Sequence, residues 1–577
     1  MLVLVDNVID GKRSSTVSSA NYDDKSIAKK TGLFFKLYWR VIIVLGWPLI
    51  LLPLVVLYDG LQARCAFVVV LMAMYWVTEC LPLPMTALMP LVLFPCLGIL
   101  STAETCLCYM NDTIMVFIGG LILAISIEHC NLHLRIALGV MRFVGCSHTK
   151  LLAGLFTVIS FLSMWVSNTA CTAMMVPIIF AILRELEEAG LGKVFVYKGD
   201  PEDPESEREP TKVTKAYLLG SAYAATFAGT STLVGTGTNL TFKGVFESTF
   251  PRAEGINFAQ WMMWALPQSL VNVFITWLYM LVFYMGLGRP RSQDARDATI
   301  GREGEAIANR LMQEKYKELG KMTFHETAVS VLFALCATLW FFRHPGFMTG
   351  WADILNSVDI RDSTPVMFVA TLMFIIPKEP SFLYVCSKDA NKRPTKSSEG
   401  LITWKVLESK MPWSLMFLLG GGFAISKGSN SSCLSKNIGE ALTPLKNLPP
   451  FLILCITCLF TGTITEFTSN IGIANIMLPV IAQMSVAIKL NPLYVMIPST
   501  MICSYAFRLP VGTPPNAIVT VAGHLSTKSL IVAGCGPALY SFVVVVVMFS
   551  TWGVYTYKIE GFPDWAMNEP TTTECLT

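Results

Sequence analysis

Ser167-Asn168-Thr169 opens an apolar run that closes on Val176-Pro177-Ile178, and Ser469-Asn470-Ile471 opens another that closes on Leu478-Pro479-Val480. In both copies the proline follows the serine by ten residues. Downstream of each lies a second shared string, Gly235-Thr236-Gly237-Thr238-Asn239 and Gly512-Thr513-Pro514-Pro515-Asn516. Upstream, Gly120 with Ala124-Ile125-Ser126 matches Gly420 with Ala424-Ile425-Ser426. Three matches in one order mark an internal duplication of roughly 130 residues. The repeated strings are polar islands inside apolar sequence, and that placement points to function.

The surrounding chain decides the class. Of 577 residues, 53% are hydrophobic and only 14% charged, with a mean hydropathy of +0.55. A soluble chain carries about 25% charged residues. Repeated apolar runs of about 17–25 residues predict an all-α polytopic membrane protein whose solvent is the lipid bilayer. A net charge of +3 with no basic, aromatic-interleaved segment gives no reason to expect a nucleic-acid partner. Most of the sixteen cysteines lie in apolar spans, where free Cys behaves as a small hydrophobe. Cys106, Cys108 and Cys433 fall in expected loops, where a disulfide is open. No cleavable signal peptide precedes the first span.

In chain order, residues 1–32 read as a disordered cytosolic tail, with a basic cluster (Lys25, Lys29, Lys30, Lys36, Arg40) running into the first span. The first half, 33–290, holds spans at 37–58, 65–81, 84–100 and 113–130, then an amphipathic stretch, 131–149. A hairpin at 151–183 follows, with Ser167-Asn168-Thr169 at its tip. Its two apolar arms are each too short to cross a bilayer, which predicts a re-entrant element. A charged insert (184–214) leads into a broken helix, 215–250, interrupted at Gly235–Asn239, and a sixth span, 262–287. Residues 291–325 are a hydrophilic loop. The second half, 326–557, has spans at 326–342, 364–386 and 404–426, a hairpin at 450–486, and a broken helix, 492–523, interrupted at Gly512–Asn516. A last span, 530–556, precedes a tail, 558–577. The expectation is about 11 spans plus two hairpins.

Charge bias orients this count. With the N-terminus in the cytosol, the Lys- and Arg-rich loops 288–325 and 387–403 also lie inside, as the positive-inside rule requires. The C-terminus then lies outside, as does the glycosylation sequon at Asn430. An odd number of spans separates the hairpins, so they enter from opposite faces. Such an inverted repeat is the architecture of many secondary transporters.

The islands have the chemistry of an anion site. Ser, Thr and Asn at a helix start cap free amides, and those amides with the helix dipole attract negative charge. Two tips bring two such ends toward the midplane, and the Gly-Thr-x-x-Asn breaks add hydroxyls and carbonyls able to hold a small cation. Duplicated donors suit a substrate with separated carboxylates. The same residue types also serve as packing residues in membrane helices, but four islands in duplicate order argue against packing alone. His129 and His133 share a helical face beside Glu128, yet no further ligand follows, so no metal site is expected. Glu79 reads as a structural residue at a span end. Glu466, three residues before Ser469, would neutralise a helix start or orient the tip. Lys243 and Arg508 lie deep beside the breaks, where an ionisable group is a functional candidate unless it snorkels to the surface.

These strings resemble the divalent-anion/sodium symporter family of citrate, dicarboxylate and sulfate carriers. Trp76-Val77-Thr78-Glu79, Asn131-Leu132-His133, Trp165-Val166-Ser167-Asn168, Leu419-Gly420-Gly421-Gly422-Phe423-Ala424 and Leu509-Pro510-Val511-Gly512-Thr513-Pro514-Pro515-Asn516-Ala517 also agree with it. The resemblance covers about 35–556 and looks closest to the insect "I'm not dead yet" (INDY) carriers of the plasma membrane. It implies a homodimer of scaffold and mobile transport domains, working as an elevator on di- and tricarboxylates such as citrate, succinate, fumarate and 2-oxoglutarate. By carry-over, Ser167, Asn168, Thr169, Ser469, Asn470, Thr513 and Pro514 bind substrate. Gly235, Thr236, Asn239, Gly512 and Asn516 line the breaks, where sodium-coupled members hold cations. Those members usually carry Ala and Thr after the second Ser-Asn-x, whereas this chain has Gly472-Ile473-Ala474. That departure puts sodium, the one cofactor in question, in doubt. It makes Arg508 a candidate for charge compensation, in an electroneutral, cation-independent carrier.

The alternative within the fold is a sodium-coupled dicarboxylate or sulfate symporter. A sensing receptor would need a sizeable soluble domain, and the hydrophilic stretches are all shorter than that. An intramembrane enzyme would need a nucleophile with its base or a metal triad, and the sequence offers no catalytic set.

Overall fold

A computed structural model describes residues 27–567 apart from 59, 145–146, 191, 199–206, 298–300, 346–347, 356–359, 381–396 and 442. It is almost entirely helical; one short antiparallel ribbon, Phe195–Lys198 with Glu207–Pro210, forms within the charged insert. Among the described residues, eight helices are long and apolar enough to cross a membrane, and five apolar helices of 10–17 residues accompany them. This is a multi-pass α-helical membrane protein.

The helix Lys212–Gly229 forms the centre of the packing and is almost wholly buried. Small residues on it, Gly220, Ser221, Ala222, Ala224, Ala225 and Ala228, let neighbours approach closely, as membrane packing favours. Around it stand His148–Ser163, Asn168–Glu188, Phe258–Phe283 and, from the second half, Pro514–Ala522. In exchange, Gly237–Thr249 of the first half packs on Trp413–Ser431, Asn470–Ala487 and Pro492–Cys503 of the second. The halves interlock.

Several boundaries differ from the sequence reading. The span expected at 84–100 splits into Leu83–Ala87 and Pro90–Cys96, because Pro90 begins a new helix where it lacks an amide to donate. The span expected at 364–386 ends as a helix at Ile375. The second hairpin arms are longer than their apolar runs: Asn168–Glu188 and Asn470–Ala487 both rank among the helices long enough to cross. Helix Ile27–Leu57 begins inside the expected tail. The hydrophilic loop 291–325 contains the helix Gly301–Glu318, and just after it the carbonyls of Leu319 and Gly320 accept from Arg135. The tail after 557 folds back, stacking Trp565 edge-on against Phe246 and Phe250. Cys106 and Cys108 are free thiols on the helix Thr102–Cys108 rather than in a loop, whereas Cys433 is disulfide-bonded. The basic loop residues Lys388, Lys392, Arg393 and Lys396, and Lys25, lie outside the described residues.

Candidate functional site

Both tips are helix N-termini. Helix Asn168–Glu188 starts at Ser167, whose Oγ accepts from the Ala170 amide at 3.3 Å. Helix Asn470–Ala487 starts at Ser469, whose Oγ accepts from the Gly472 amide at 3.5 Å. Serine is favoured there because its hydroxyl satisfies an amide that the helix leaves free. Ser167, Asn168, Thr169, Ser469 and Asn470 are all half-buried, so the tips are neither sealed nor fully open.

Each tip is tied to its break by a hydroxyl that precedes the asparagine by five residues. Ser163 Oγ bonds Asn168 Oδ1 and the Ala225 carbonyl, both at 2.7 Å. Thr465 Oγ1 donates to the Cys503 carbonyl at 2.6 Å. Asn470 satisfies its surroundings with its amide nitrogen toward the break, donating to Gly512 O (3.0 Å), Thr465 Oγ1 (2.9 Å) and Cys503 O (3.2 Å). A Cβ at Gly229 would lie 2.0 Å from Asn168 Oδ1, so only glycine lets the first tip seat there. Ser163 and Thr465 escaped the sequence reading although they sit at matching positions, because Ser and Thr are interchangeable as hydroxyls but not as letters.

The breaks lie earlier than the repeated strings. Helix Lys212–Gly229 stops at Thr230 and resumes as Gly237–Thr249; Pro492–Cys503 stops at Ser504 and resumes as Pro514–Ala522. Thr236 and Thr513 are therefore extended N-cap residues (φ −146° and −139°), and Asn239 and Asn516 fall in the first turn after them. From there each asparagine reaches back into its loop. Asn239 Nδ2 donates to Thr230 O (3.1 Å) and Thr232 O (2.7 Å). Asn516 Nδ2 donates to Ala506 O (3.0 Å) and Leu509 O (3.3 Å). Both are fully buried. They pin the loops through Nδ2, while the Oδ1 of each has no hydrogen-bond partner among the described residues. Gly235 and Gly512 are buried in the loops, and Pro514 is exposed.

The two islands converge. A Cβ at Gly237, the first residue of the helix after the first break, would meet the Ile471 side chain of the second tip. Thr238 Oγ1, in the first turn after the first break, and Ser504 Oγ, at the start of the second, are 2.5 Å apart. Thr468 before the second tip donates to the carbonyl of Trp76 at 3.2 Å, which sets the Trp76–Glu79 string beside it. Glu79 itself is exposed, in a left-handed C-cap conformation (φ 49°). Two small cavities of about 150 and 170 Å³ flank this region, but Ser167, Asn168, Ser469 and Asn470 line neither.

Charges are placed unequally. Glu466 is buried, and its carboxylate accepts from Phe507 N (3.1 Å), Arg508 N (2.9 Å) and Arg508 Nε (2.9 Å). Arg508 is partly exposed, beside the exposed Phe467 and Val511. Lys243 does not snorkel. It is buried and pairs with Asp362 at 2.8 Å and with Glu247 at 3.3 Å, while Arg343 holds the other Asp362 oxygen at 2.7 Å. Burial pushes the Asp362 carboxyl up, but Lys243 and Arg343 outweigh it and hold the group below its ordinary range. The signal for Asp362 was absent from the motifs, since an aspartate before a span reads as a cap. His133 turns to the Ile127 carbonyl and His129 meets His325 edge to face, and among the described residues no three His, Cys, Asp or Glu side chains form a metal-sized group. Asn430 is not on a loop: it lies in the last turn of Trp413–Ser431, its Oδ1 bonded by Ser435 and Gln483.

A family model described as the sodium:sulfate symporter transmembrane region matches residues 34–558. The Drosophila melanogaster protein "I'm not dead yet" is 43% identical over 546 residues, 93% of this chain and 92% of that one. A Rattus norvegicus Na(+)/citrate cotransporter is 38% identical over 550 residues, 90% of this chain and 95% of that one. A Mus musculus Na(+)/dicarboxylate cotransporter 3 is 37% identical over 567 residues, 91% and 94%. These proteins are transporters, not enzymes.

Proposed function

The chain belongs to the sodium:sulfate symporter family, and from that premise we propose that it is a plasma-membrane carrier of citrate and related dicarboxylates. The observation that carries the reading is that each half has a serine-capped helix start beside a broken helix, and that the helix after the first break, at Gly237 and Thr238, meets the second tip at Ile471 and the start of the second break at Ser504. Capped helix ends present amides and dipoles to carboxylates, and two of them suit an anion with separated charges. Asn168, whose Oδ1 is held by Ser163, keeps its amide nitrogen for a ligand. Ser167, Thr169, Ser469, Thr513 and Pro514 complete the substrate set. The relatives named for citrate and dicarboxylates support this class.

Transport is read as cation-independent and electroneutral. Bringing a multiply charged anion into low dielectric is costly unless charge travels with it or meets it. Glu466 keeps two backbone N–H bonds without the Arg508 side chain. The guanidinium is therefore free to turn toward an arriving anion without stranding the carboxylate. The competing reading, a sodium-coupled dicarboxylate or sulfate symporter, draws on the sodium in the relatives' names. The carrier would act as an elevator within a homodimer, the interlocked islands moving as one body, with the N-terminus cytosolic and the C-terminus outside.

Radiolabelled citrate, succinate and sulfate uptake into vesicles, in sodium and in choline, tests the reading. Citrate uptake equal in both media is expected. Uptake of sulfate alone, or none without sodium, rejects it. Cysteine labelling at Asn430→Cys from outside and at Ile300→Cys from inside checks the orientation; the reverse pattern overturns the inverted repeat.

A further inference from the structure

Helix Phe258–Phe283 carries Trp264, Gln268 and Asn272 on one stripe, four residues apart. All three are 0% exposed. Yet Trp264 Nε1, Gln268 Nε2 and both Asn272 Nδ2 and Oδ1 make no hydrogen bond of ordinary geometry among the described residues, although the Tyr505 hydroxyl faces Asn272. Folded interiors pair nearly all such groups, so orphans aligned on a single stripe call for a common partner.

The stripe backs onto both breaks. Ser269 Oγ lies 3.2 Å from Thr230 Oγ1, at the start of the first break. Thr230 Oγ1 in turn lies 2.9 Å from the Tyr505 hydroxyl, in the second break. Tyr505 donates to Gln268 Oε1 at 3.3 Å, closing the circuit. Further along, Thr276 Oγ1 donates to Asn272 O and sits 2.7 Å from Tyr540 OH. The unpaired amides therefore end a chain of hydroxyls that joins the two halves behind the tips.

We infer that this stripe holds a file of ordered water, hydrogen-bonded to Trp264, Gln268 and Asn272, that bridges the backs of both breaks. The chemistry of the orphans selects water. Three of the four unpaired atoms are N–H nitrogens, which a bound cation would leave unsatisfied. An anion would leave Asn272 Oδ1 unsatisfied. Turning either amide exchanges its atoms but still presents Asn272 as one donor and one acceptor. Water supplies both roles, and a buried water typically makes about three such bonds. Gln268 and Asn272 are thereby positioning residues: through solvent they let Thr230 and Tyr505 shift without stranding a buried amide.

The test uses the full-length chain in lipid nanodiscs, imaged by cryo-electron microscopy at a resolution that shows ordered water, in sodium and in choline. Density peaks beside Asn272 and Gln268 in both media are expected. A dry stripe overturns the inference, and so does a peak present only in sodium, which would mark a cation site. This readout needs no substrate, so it stands apart from the citrate assignment. For the positioning role, Asn272→Leu should lower maximal citrate uptake roughly tenfold, about one hydrogen bond's worth, with KM unchanged, and Asn272→Ser should restore most of it. Wild-type uptake by Asn272→Leu, or no recovery in Asn272→Ser, removes that role.

Discussion

The first island and the second share a frame and differ in their charges. In each, a hydroxyl five residues before the tip asparagine ties tip to break, and a buried asparagine after the break pins the loop carbonyls. Those parts occur twice. The ionic parts occur once. Glu466 and Arg508 stand where the first half has Met164 and Ser231, and Lys243 stands where the second half has Thr520. The first half thus locks its charge after the break, buried against Asp362 and Glu247, whereas the second keeps its charge before the break with the cation partly exposed. The repeated residues build backbone geometry, and the unrepeated ones specialise each half.

The largest effect should come from breaking the buried side of that contrast. Asp362→Asn leaves Lys243 with Glu247 alone and Arg343 without its carboxylate, and loss of one partner from a buried pair costs about 3–5 kcal/mol. Thermal unfolding in detergent at neutral pH measures it. Because the Asp362 carboxyl is held below its ordinary range, its contribution is present at neutral pH and is lost as pH falls through the folded value. The gap between wild type and Asp362→Asn should therefore narrow below about pH 4; a pH-independent gap contradicts the pairing.

Next come the tips. Asn168→Ala removes a donor to a carboxylate, worth about 1.5–3 kcal/mol, or roughly 10- to 100-fold in citrate uptake at unchanged surface expression. Asn470→Ala also unties Gly512, so it should lose at least as much uptake and, unlike Asn168→Ala, loosen the break. Equal protease sensitivity of the two variants would erase that difference.

The pins sharpen the symmetry. Asn239→Ala and Asn516→Ala each leave two loop carbonyls without their amide and should each cost about 1–2 kcal/mol of stability. Similar values support a common frame, and a large inequality breaks it.

The smallest effect is expected at the exposed ion. Arg508→Met leaves Glu466 with two backbone donors, so stability should change by less than about 1 kcal/mol. Citrate uptake in choline should fall while neutral pH stability holds, and combining it with Gly472→Ala and Ile473→Thr should raise the response to sodium. Normal uptake by Arg508→Met shows that this residue does not balance the substrate's charge.

Much of this was legible in the chain itself. Apolar length, low charge and the paired Ser-Asn and Gly-Thr-x-x-Asn strings determined a multi-pass helical membrane protein with two serine-capped helix starts, because bilayer thickness and helix capping act on short, local stretches of sequence. The tip serines and the family followed from the same strings. What only the tertiary structure decided depends on residues far apart in the chain. The breaks begin at Thr230 and Ser504, several residues before their motifs, since Asn239 and Asn516 act backward on loop carbonyls that no repeated string marks. Lys243 is buried against Asp362, 119 residues away, and Arg508 pairs with Glu466, 42 residues away. A charge's partner is chosen by packing across the fold, and no local pattern encodes which distant carboxylate will be buried against it.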